Sequence, residues 1–280
     1  MRISIASDLH LEFADITLPG GDLLILAGDI WCAAHMPKNK TDATSRKCRS
    51  RYQRFANDEL KKYKEVIVIA GNHEYYMSSL SEAPVIIEDF LTVEAPNAVF
   101  LDNDAHSVDG LMILGTTLWS PCGDANPVIE DEIGRQMNDF RLINIRPGGD
   151  VFKPSDAAFL YRRNRSWLER KLRDAKGPVI VVTHHAPTPL AQKDTDYRGG
   201  PLEEAYCGNC HDLIEDNPEI SAWIYGHTHI QKMISIGETW VLSNPRGYFP
   251  QEKMSKYFDV SMMDFEVDGF GEVGFVAEEG

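Results

Sequence analysis

The chain carries nine histidines, and a subset of them falls in an order that could do chemistry. Along the sequence come Asp8 and His10, then Asp29, Asn72-His73-Glu74, His184, and Gly226-His227-Thr228-His229. Singly these are common. Asp-x-His recurs at Asp104 and His106, and Gly-Asp recurs at Gly21-Asp22, Gly123-Asp124 and Gly149-Asp150. The information is in the ordered combination. If the set converges, Asp8, Asp29, Asn72, His10, His184, His227 and His229 offer carboxylate, amide and imidazole donors with no thiolate. Such a mixture suits Mn, Fe or Zn, with Mn favoured, and not an iron–sulfur cluster or a cysteine-type structural zinc. Seven side chains are too many for one ion. Alternate residues of an extended segment point the same way, so Asp8 and His10 can grip one ion together, and His227 and His229 share that spacing. Two divalent cations about 3.5–4 Å apart can share a bridging hydroxide at neutral pH and clamp the oxygens of a phosphoryl group. The expected chemistry is hydrolysis of a phosphate ester by attack of that metal-bound hydroxide.

These residues need elements that bring them together. Three runs rich in branched aliphatics, Leu23 to Ala27, Val66 to Ala70 and Val179 to Thr183, lack alternation and read as strands covered on both faces. Each leads at once into candidate residues: Gly28-Asp29, Gly71-Asn72-His73-Glu74 and His184-His185. In open α/β sheets that edge is where ligands bind, which predicts one shared cleft. A helix capped by Ser155 is expected to run to about Ala175, with shorter helices from about Ser81 to Leu91 and Pro127 to Asn138. Leu111 to Trp119, Met233 to Ser243 with a turn near Gly237-Glu238, and Val260 to Val267 read as antiparallel strands. The reading is α/β: two sheets face to face with helices outside, in one domain over residues 1–280.

Composition bounds the rest. With 280 residues, 43% hydrophobic and 25% charged, the chain is long enough for a large core, and disordered, collagenous and coiled-coil classes fit poorly. A net charge of −15 argues against a general polyanion-coating role. A locally cationic metal site inside an acidic protein still admits an anionic substrate. No apolar stretch is long enough to span a bilayer, and the start, Arg2-Ile3-Ser4-Ile5-Ala6, reads as a strand without a signal-peptide layout, so a cytoplasmic location is expected. The five scattered cysteines read as free thiols. One segment departs from the average: residues 31–64 hold ten Lys or Arg against three acids. It reads as a basic helical insertion bridging two strands, with a basic flap beside an anionic-substrate site as the functional alternative.

The ordered motifs D-x-H, GD, GNH[DE], H and GH-x-H resemble those of the calcineurin-like metallophosphoesterase superfamily, and the matched blocks span residues 8–229. The resemblance implies a four-layer double β-sandwich flanked by helices. It also implies that Asp8, His10 and His229 bind one metal, that Asn72, His184 and His227 bind the other, and that Asp29 bridges. In this scheme His73 is not a ligand but faces the leaving-group oxygen as general acid or hydrogen-bond donor, and Glu74 orients its neighbours. Departures bear on the substrate. Superfamily protein phosphatases continue the GD as V-D-R-G, whereas Gly28-Asp29 here runs into Ile30-Trp31-Cys32-Ala33, and many phosphodiesterases and nucleases show GNHD where this chain has Glu74.

His185, beside a ligand candidate, and Tyr75 with Tyr76 after the GNHE are candidates for contacting substrate, with core packing as the alternative of equal weight. Cys207-Gly208-Asn209-Cys210-His211 has the form of a haem or redox motif but reads as loop thiols. Gly269 to Gly274 fits G-x-G-x-x-G yet has no room for a following helix, and reads as a hairpin turn. The expected activity is a dinuclear, metal-dependent phosphoesterase with a small phosphodiester or nucleotide-type substrate preferred. Alternatives are a nuclease acting on single strands or ends through the basic segment, a phosphoprotein or small-molecule phosphomonoesterase, and a non-catalytic scaffold on the same fold.

Overall fold

A computed structural model describes residues 1–192, 199–200 and 202–276. Among these residues twelve strands form two six-stranded sheets. The first contains β1 (Arg2–Ala6), β2 (Gly21–Ala27), β3 (Tyr63–Ile69) and β4 (Ala98–Leu101), all parallel. The second contains β5 (Asp104–Val108), β6 (Leu111–Thr116), β7 (Val179–Thr183), β8 (Ile220–Ile224), β9 (Lys232–Ile236) and β10 (Thr239–Ser243). Its order is β5-β6-β7-β8-β10-β9, with β6, β7, β8 and β10 parallel and the outer strands antiparallel. The late strands extend the first sheet, β11 (Phe265–Val267) antiparallel to β1 and β12 (Val273–Phe275) antiparallel to β11.

Alternation of side chains explains why the central strands read as continuous apolar runs. Ile3, Ile5, Leu23, Ile25, Ile67 and Ile69 from the first sheet meet Ile113, Ile180, Val182, Ala222, Ile224 and Leu242 from the second in a dry inner layer. The intervening Leu24, Leu26, Val66, Val68, Val181 and Trp223 face outward into a second core shared with the helices. Each central strand is thus apolar on both faces. Outside lie α1 (Ala43–Arg54), α2 (Ala83–Glu94), α3 (Pro127–Gln136), α4 (Asp139–Leu142), α5 (Pro154–Asp174), α6 (Glu203–Tyr206) and α7 (His211–Glu215). The arrangement is the expected α/β double sandwich of two mixed sheets with flanking helices. Among the described residues no helix is long and apolar enough to cross a membrane.

Several local expectations change. Helix α5 is not capped by Ser155: Pro154 opens it and Asp156 turns back to accept the Lys153 N–H at 3.0 Å. Leu111 to Trp119 ends as a strand at Thr116 and is antiparallel only to β5. Val260 to Val267 is not one strand. Asp259 accepts the Ser261 N–H at 2.9 Å and starts a 3₁₀ turn over Val260–Met263 before β11 begins. The Met233 to Ser243 hairpin turns at Gly237, with φ +57, and the glycine-rich 269–274 stretch forms the β11–β12 turn up to Glu272 and the start of β12.

The basic 31–64 segment joins β2 to β3 as α1 and a following turn of π-helix over Phe55–Glu59. Three of its ten cations bond the loop that precedes β2. Arg51 donates to the Leu11 and Glu12 carbonyls at 2.7 and 2.8 Å, Arg54 pairs with Asp15 at 2.8 Å, and Lys62 reaches the Leu18 carbonyl at 2.9 Å. The segment therefore clamps the 11–18 loop. All five cysteines are free and buried, and burial pushes the thiols of Cys207 and Cys210 up to about 12, which leaves them inert at neutral pH.

Ile25, fully buried at the centre of the inner layer, tests this account: Ile25→Ala is expected to lose about 2–5 kcal/mol of stability in urea unfolding. Val128→Ala, on an exposed turn of α3, is expected to stay within about 0.5 kcal/mol.

Candidate metal centre

The candidate residues all leave the carboxyl ends of parallel strands: Asp8 after β1, Asp29 after β2, Asn72 after β3, His184 after β7, and His227 and His229 after β8. Backbone bonds stitch these exits together. The Asp8 N–H donates to the Gly28 carbonyl at 2.9 Å, the His10 N–H to Asp29 at 3.0 Å, and the Gly226 N–H to His184 at 2.9 Å. The path is strained. Asp8, His10, Asp29, His227 and His229, five of the seven candidates, have φ between +43 and +70, a left-handed conformation that costs non-glycine residues about 1–3 kcal/mol each. Gly71 is required by close approach, since a Cβ there would run into the Asp29 carboxylate and the His184 ring.

Among the described residues three groups of donor atoms come within reach of one ion: Asp8, His10 and His229; Asp29, His184 and His227; and His10, Glu12 and His73. The Nε2 atoms of His10 and His229 face each other at 3.2 Å, and His229 Nε2 lies 3.3 Å from Asp8 Oδ1. On the other side His184 Nε2 lies 3.0 Å from Asn72 Oδ1 and 3.3 Å from Asp29 Oδ1. Asp29 sits between, its second oxygen 3.9 Å from His10 Nε2. Outer partners fix the orientations. His184 Nδ1 donates to the Ala27 carbonyl at 2.9 Å, and His229 Nδ1 bonds Glu252 at 2.7 Å, so both rings turn Nε2 inward. Asp139 accepts the Asn72 amide N–H at 2.9 Å, which turns the amide oxygen toward His184.

The donor set fits divalent cations. Among the described residues, His227 Nε2 and His10 Nδ1 are buried and have no hydrogen-bond partner, and imidazole nitrogens packed against each other are difficult to satisfy with protons alone. Charge follows geometry. Burial works against the Asp29 carboxylate, but His184 and His73 overcome it and hold the group well below the usual range. Burial likewise opposes the His184 and His229 imidazoliums. Asp29 nevertheless raises His184 to about 9, and Asp8 with Glu252 raises His229 to about 10.

His73 lies beside this cluster. Its N–H donates to Asp29 Oδ1 at 2.8 Å, its ring stacks on Tyr76 at 4.1 Å, and Nε2 meets the Tyr248 hydroxyl at 3.1 Å. Burial lowers its pKa. Glu74 is fully buried and accepts the N–H groups of Gly71, Asp29, Ile30 and Trp31 at 2.7, 2.9, 2.7 and 3.2 Å. It ties the β2 and β3 exits together; burial and Asp29 push its carboxyl up to about 7.

The rings open onto a cleft of about 390 Å³ whose walls include Tyr76, Tyr206, Tyr248, Gln136 and Asn138. Two expected substrate contacts lie elsewhere. Tyr75 turns into the core, its ring 5.6 Å from Trp119, and its neighbour Tyr76 takes the cleft wall. His185 is buried behind His227, 4.2 Å ring to ring, with Nδ1 on the Thr117 carbonyl. Among the described residues, no cation of 31–64 lines the cleft, so the segment is not a flap over it. His35, His106 and His211 bond locally to Ser45, Glu65 and Glu215. Sequence reasoning missed Asp139, Tyr206, Tyr248 and Glu252, which belong to no motif, and Glu12, whose buried Oε2 has no partner beside His10 and His73. The only advance signal for Glu12 was its place two residues after His10.

With His184 and His229 protonated at neutral pH, any cation must displace those protons from Nε2. Titration calorimetry with Mn²⁺ at pH 7 in two buffers of unequal ionisation heat is expected to show about two protons released in all. Affinity should rise with pH between 6 and 8, about tenfold per unit for each proton released. Binding without proton release would contradict these protonation states.

The family model for calcineurin-like phosphoesterases matches residues 1–231. An uncharacterised protein, L509, of Acanthamoeba polyphaga mimivirus is 26% identical over 200 residues, 66% of this chain and 69% of its own. Among solved structures, the phosphopantetheinyl hydrolase PptH of Mycobacterium tuberculosis superposes with a TM-score of 0.59 at 17% identity, covering 88% of this chain and 89% of that one. GAP50, the anchor in the inner membrane complex of Plasmodium, superposes at 0.50 and 10% identity over 96% and 81% of the two chains. At such identities the structural likeness speaks for the fold, while the sequence match covers most of the chain and contains all seven clustered residues. The chain belongs to the calcineurin-like phosphoesterase family.

Proposed function

We propose that this protein is a metal-dependent phosphoesterase that hydrolyses a small phosphodiester or nucleotide-type ester in the cytoplasm. Asp8, His10 and His229 would hold one divalent ion, Asn72, His184 and His227 the other, with Asp29 between them; Mn²⁺ is the favoured metal. The observation that carries the reading is the place of Asp29, one oxygen 3.3 Å from His184 Nε2 and the other 3.9 Å from His10 Nε2. Bound divalent ions supply Lewis acidity, which activates water and neutralises the charge that grows on phosphoryl oxygens.

The chain's own residues do the remainder. The His73 N–H bond to Asp29 fixes the residue, stacking on Tyr76 fixes the ring plane, and Tyr248 holds Nε2 at the mouth of the cleft. From there His73 can hold a proton for the departing ester oxygen. Tyr76, Tyr206 and Tyr248 give the cleft aromatic faces suited to a planar group such as a nucleobase. A long nucleic acid is less well served, because Arg51, Arg54 and Lys62 are bonded to the 11–18 loop and, among the described residues, no cation of 31–64 lines the cleft. That GAP50 shares the fold means that the fold alone does not separate an enzyme from an anchor. The converged donors and His73 favour the enzyme. Five unpaired thiols accord with a reducing compartment.

Turnover of bis(p-nitrophenyl) phosphate and p-nitrophenyl phosphate with Mn²⁺ tests the reading. Hydrolysis should be abolished by EDTA and restored by the metal, with the diester preferred. His73→Ala should lower kcat by about 10²–10⁴ with metal content unchanged. Absence of chelator-sensitive turnover of both esters and of a nucleotide panel would refute the proposal.

A further inference from the structure

The family match ends at residue 231, but the chain returns to the centre after β10. Residues 245–252 lie across the exits of both sheets as a strap. Pro245 pairs with Ser7, the Arg246 and Gly247 N–H groups donate to the Ser7 and Asp8 carbonyls at 3.0 Å each, and the Arg246 guanidinium reaches the Leu9, Ala14 and Asp15 carbonyls. The Glu252 N–H donates to the Tyr248 carbonyl at 2.8 Å, and the Glu252 carbonyl accepts the Ser255 hydroxyl at 2.6 Å. The strap is thus held at both ends. Gly247, at φ +77, leaves room for it, since a Cβ there would collide with the Glu252 carboxylate and lie 3.4 Å from His229 Nδ1.

We infer that Glu252 is a positioning residue for the metal centre, setting the tautomer and direction of His229 from outside the residues that the family model matches. Glu252 Oε1 lies 2.7 Å from His229 Nδ1, so the carboxylate accepts that N–H. Nε2 is then left to face Asp8 Oδ1 at 3.3 Å and His10 Nε2 at 3.2 Å. A carboxylate on the outer nitrogen both orients the ring and makes its inner nitrogen a stronger donor. His184 is held instead by a backbone carbonyl, Ala27 O at 2.9 Å. The two histidines are therefore set by different devices, and of the two only His229 depends on an exchangeable side chain.

The inference rests on the two-ion reading above and predicts an asymmetric effect. In Mn²⁺ titration calorimetry of the full chain, the wild type should take up two ions. Glu252→Ala should weaken one of them about 10–100-fold and leave the other at its wild-type Kd. Electron paramagnetic resonance at two Mn²⁺ per chain, with the protein kept below the Kd of the weakened site, should change accordingly, from the signal of a coupled pair to that of isolated ions. Glu252→Gln keeps an acceptor oxygen without the charge and should fall between the two; it decides the matter if the alanine variant fails to fold. Lys253→Ala, an exposed neighbour on the strap, should bind both ions normally, which separates the effect from local disturbance. Two wild-type affinities in Glu252→Ala, or in Glu252→Gln where only that variant folds, would overturn the inference, as would equal weakening of both ions. A wild-type chain that takes up fewer than two ions would instead remove the functional proposal itself.

Discussion

The molecule is organised around a buried carboxylate, that of Asp29, held among imidazoles of three separate exit loops. An isolated carboxylate at such depth would carry a desolvation penalty of several kcal/mol, and Asp29 is only 2% exposed. It remains ionised because His184 and His73 lie close enough to outweigh burial. Those rings in turn stay put because Ala27, Tyr76 and Tyr248 hold their other atoms. The left-handed backbone at five candidate ligands belongs to the same balance. Strain of this kind persists where surrounding structure over-determines it, and Glu74, bonded to four N–H groups of two exit loops, supplies much of that surrounding structure.

The sheets make this convergence possible. Parallel strands put their carboxyl ends on one edge, and two such sheets face to face, joined at the exits by the Ser7–Pro245 bridge, bring the ends of five strands to one place. The inner layer of isoleucine, leucine and valine fixes the sheets against each other. Close packing transmits little play, so donors from distant parts of the chain meet within hydrogen-bonding distance.

Much of this was legible in the sequence because both signals are local. Strands covered on both faces announce themselves as Leu23 to Ala27, Val66 to Ala70 and Val179 to Thr183, and the reactive residues follow at once. All seven candidates meet in the structure. What stayed hidden depends on long-range contact or on local phase. Asp139 is 67 residues from the amide it orients, and nothing around Glu252 foretells its bond to His229. Tyr75 and Tyr76 are adjacent on a 3₁₀ turn and point opposite ways, a phase that spacing does not disclose. The charge of residues 31–64 was visible, but the partners that hold Arg51, Arg54 and Lys62 lie in the 11–18 loop, across a fold that charge counting does not see.

The central claim is that two ions share Asp29. Anomalous X-ray scattering at the manganese edge, from crystals grown with Mn²⁺, tests it most directly. The account predicts two peaks, one among Asp8, His10 and His229 and one among Asn72, His184 and His227, with the Asp29 carboxylate touching both. A single peak, or a pair that leaves Asp29 uncoordinated, would contradict it.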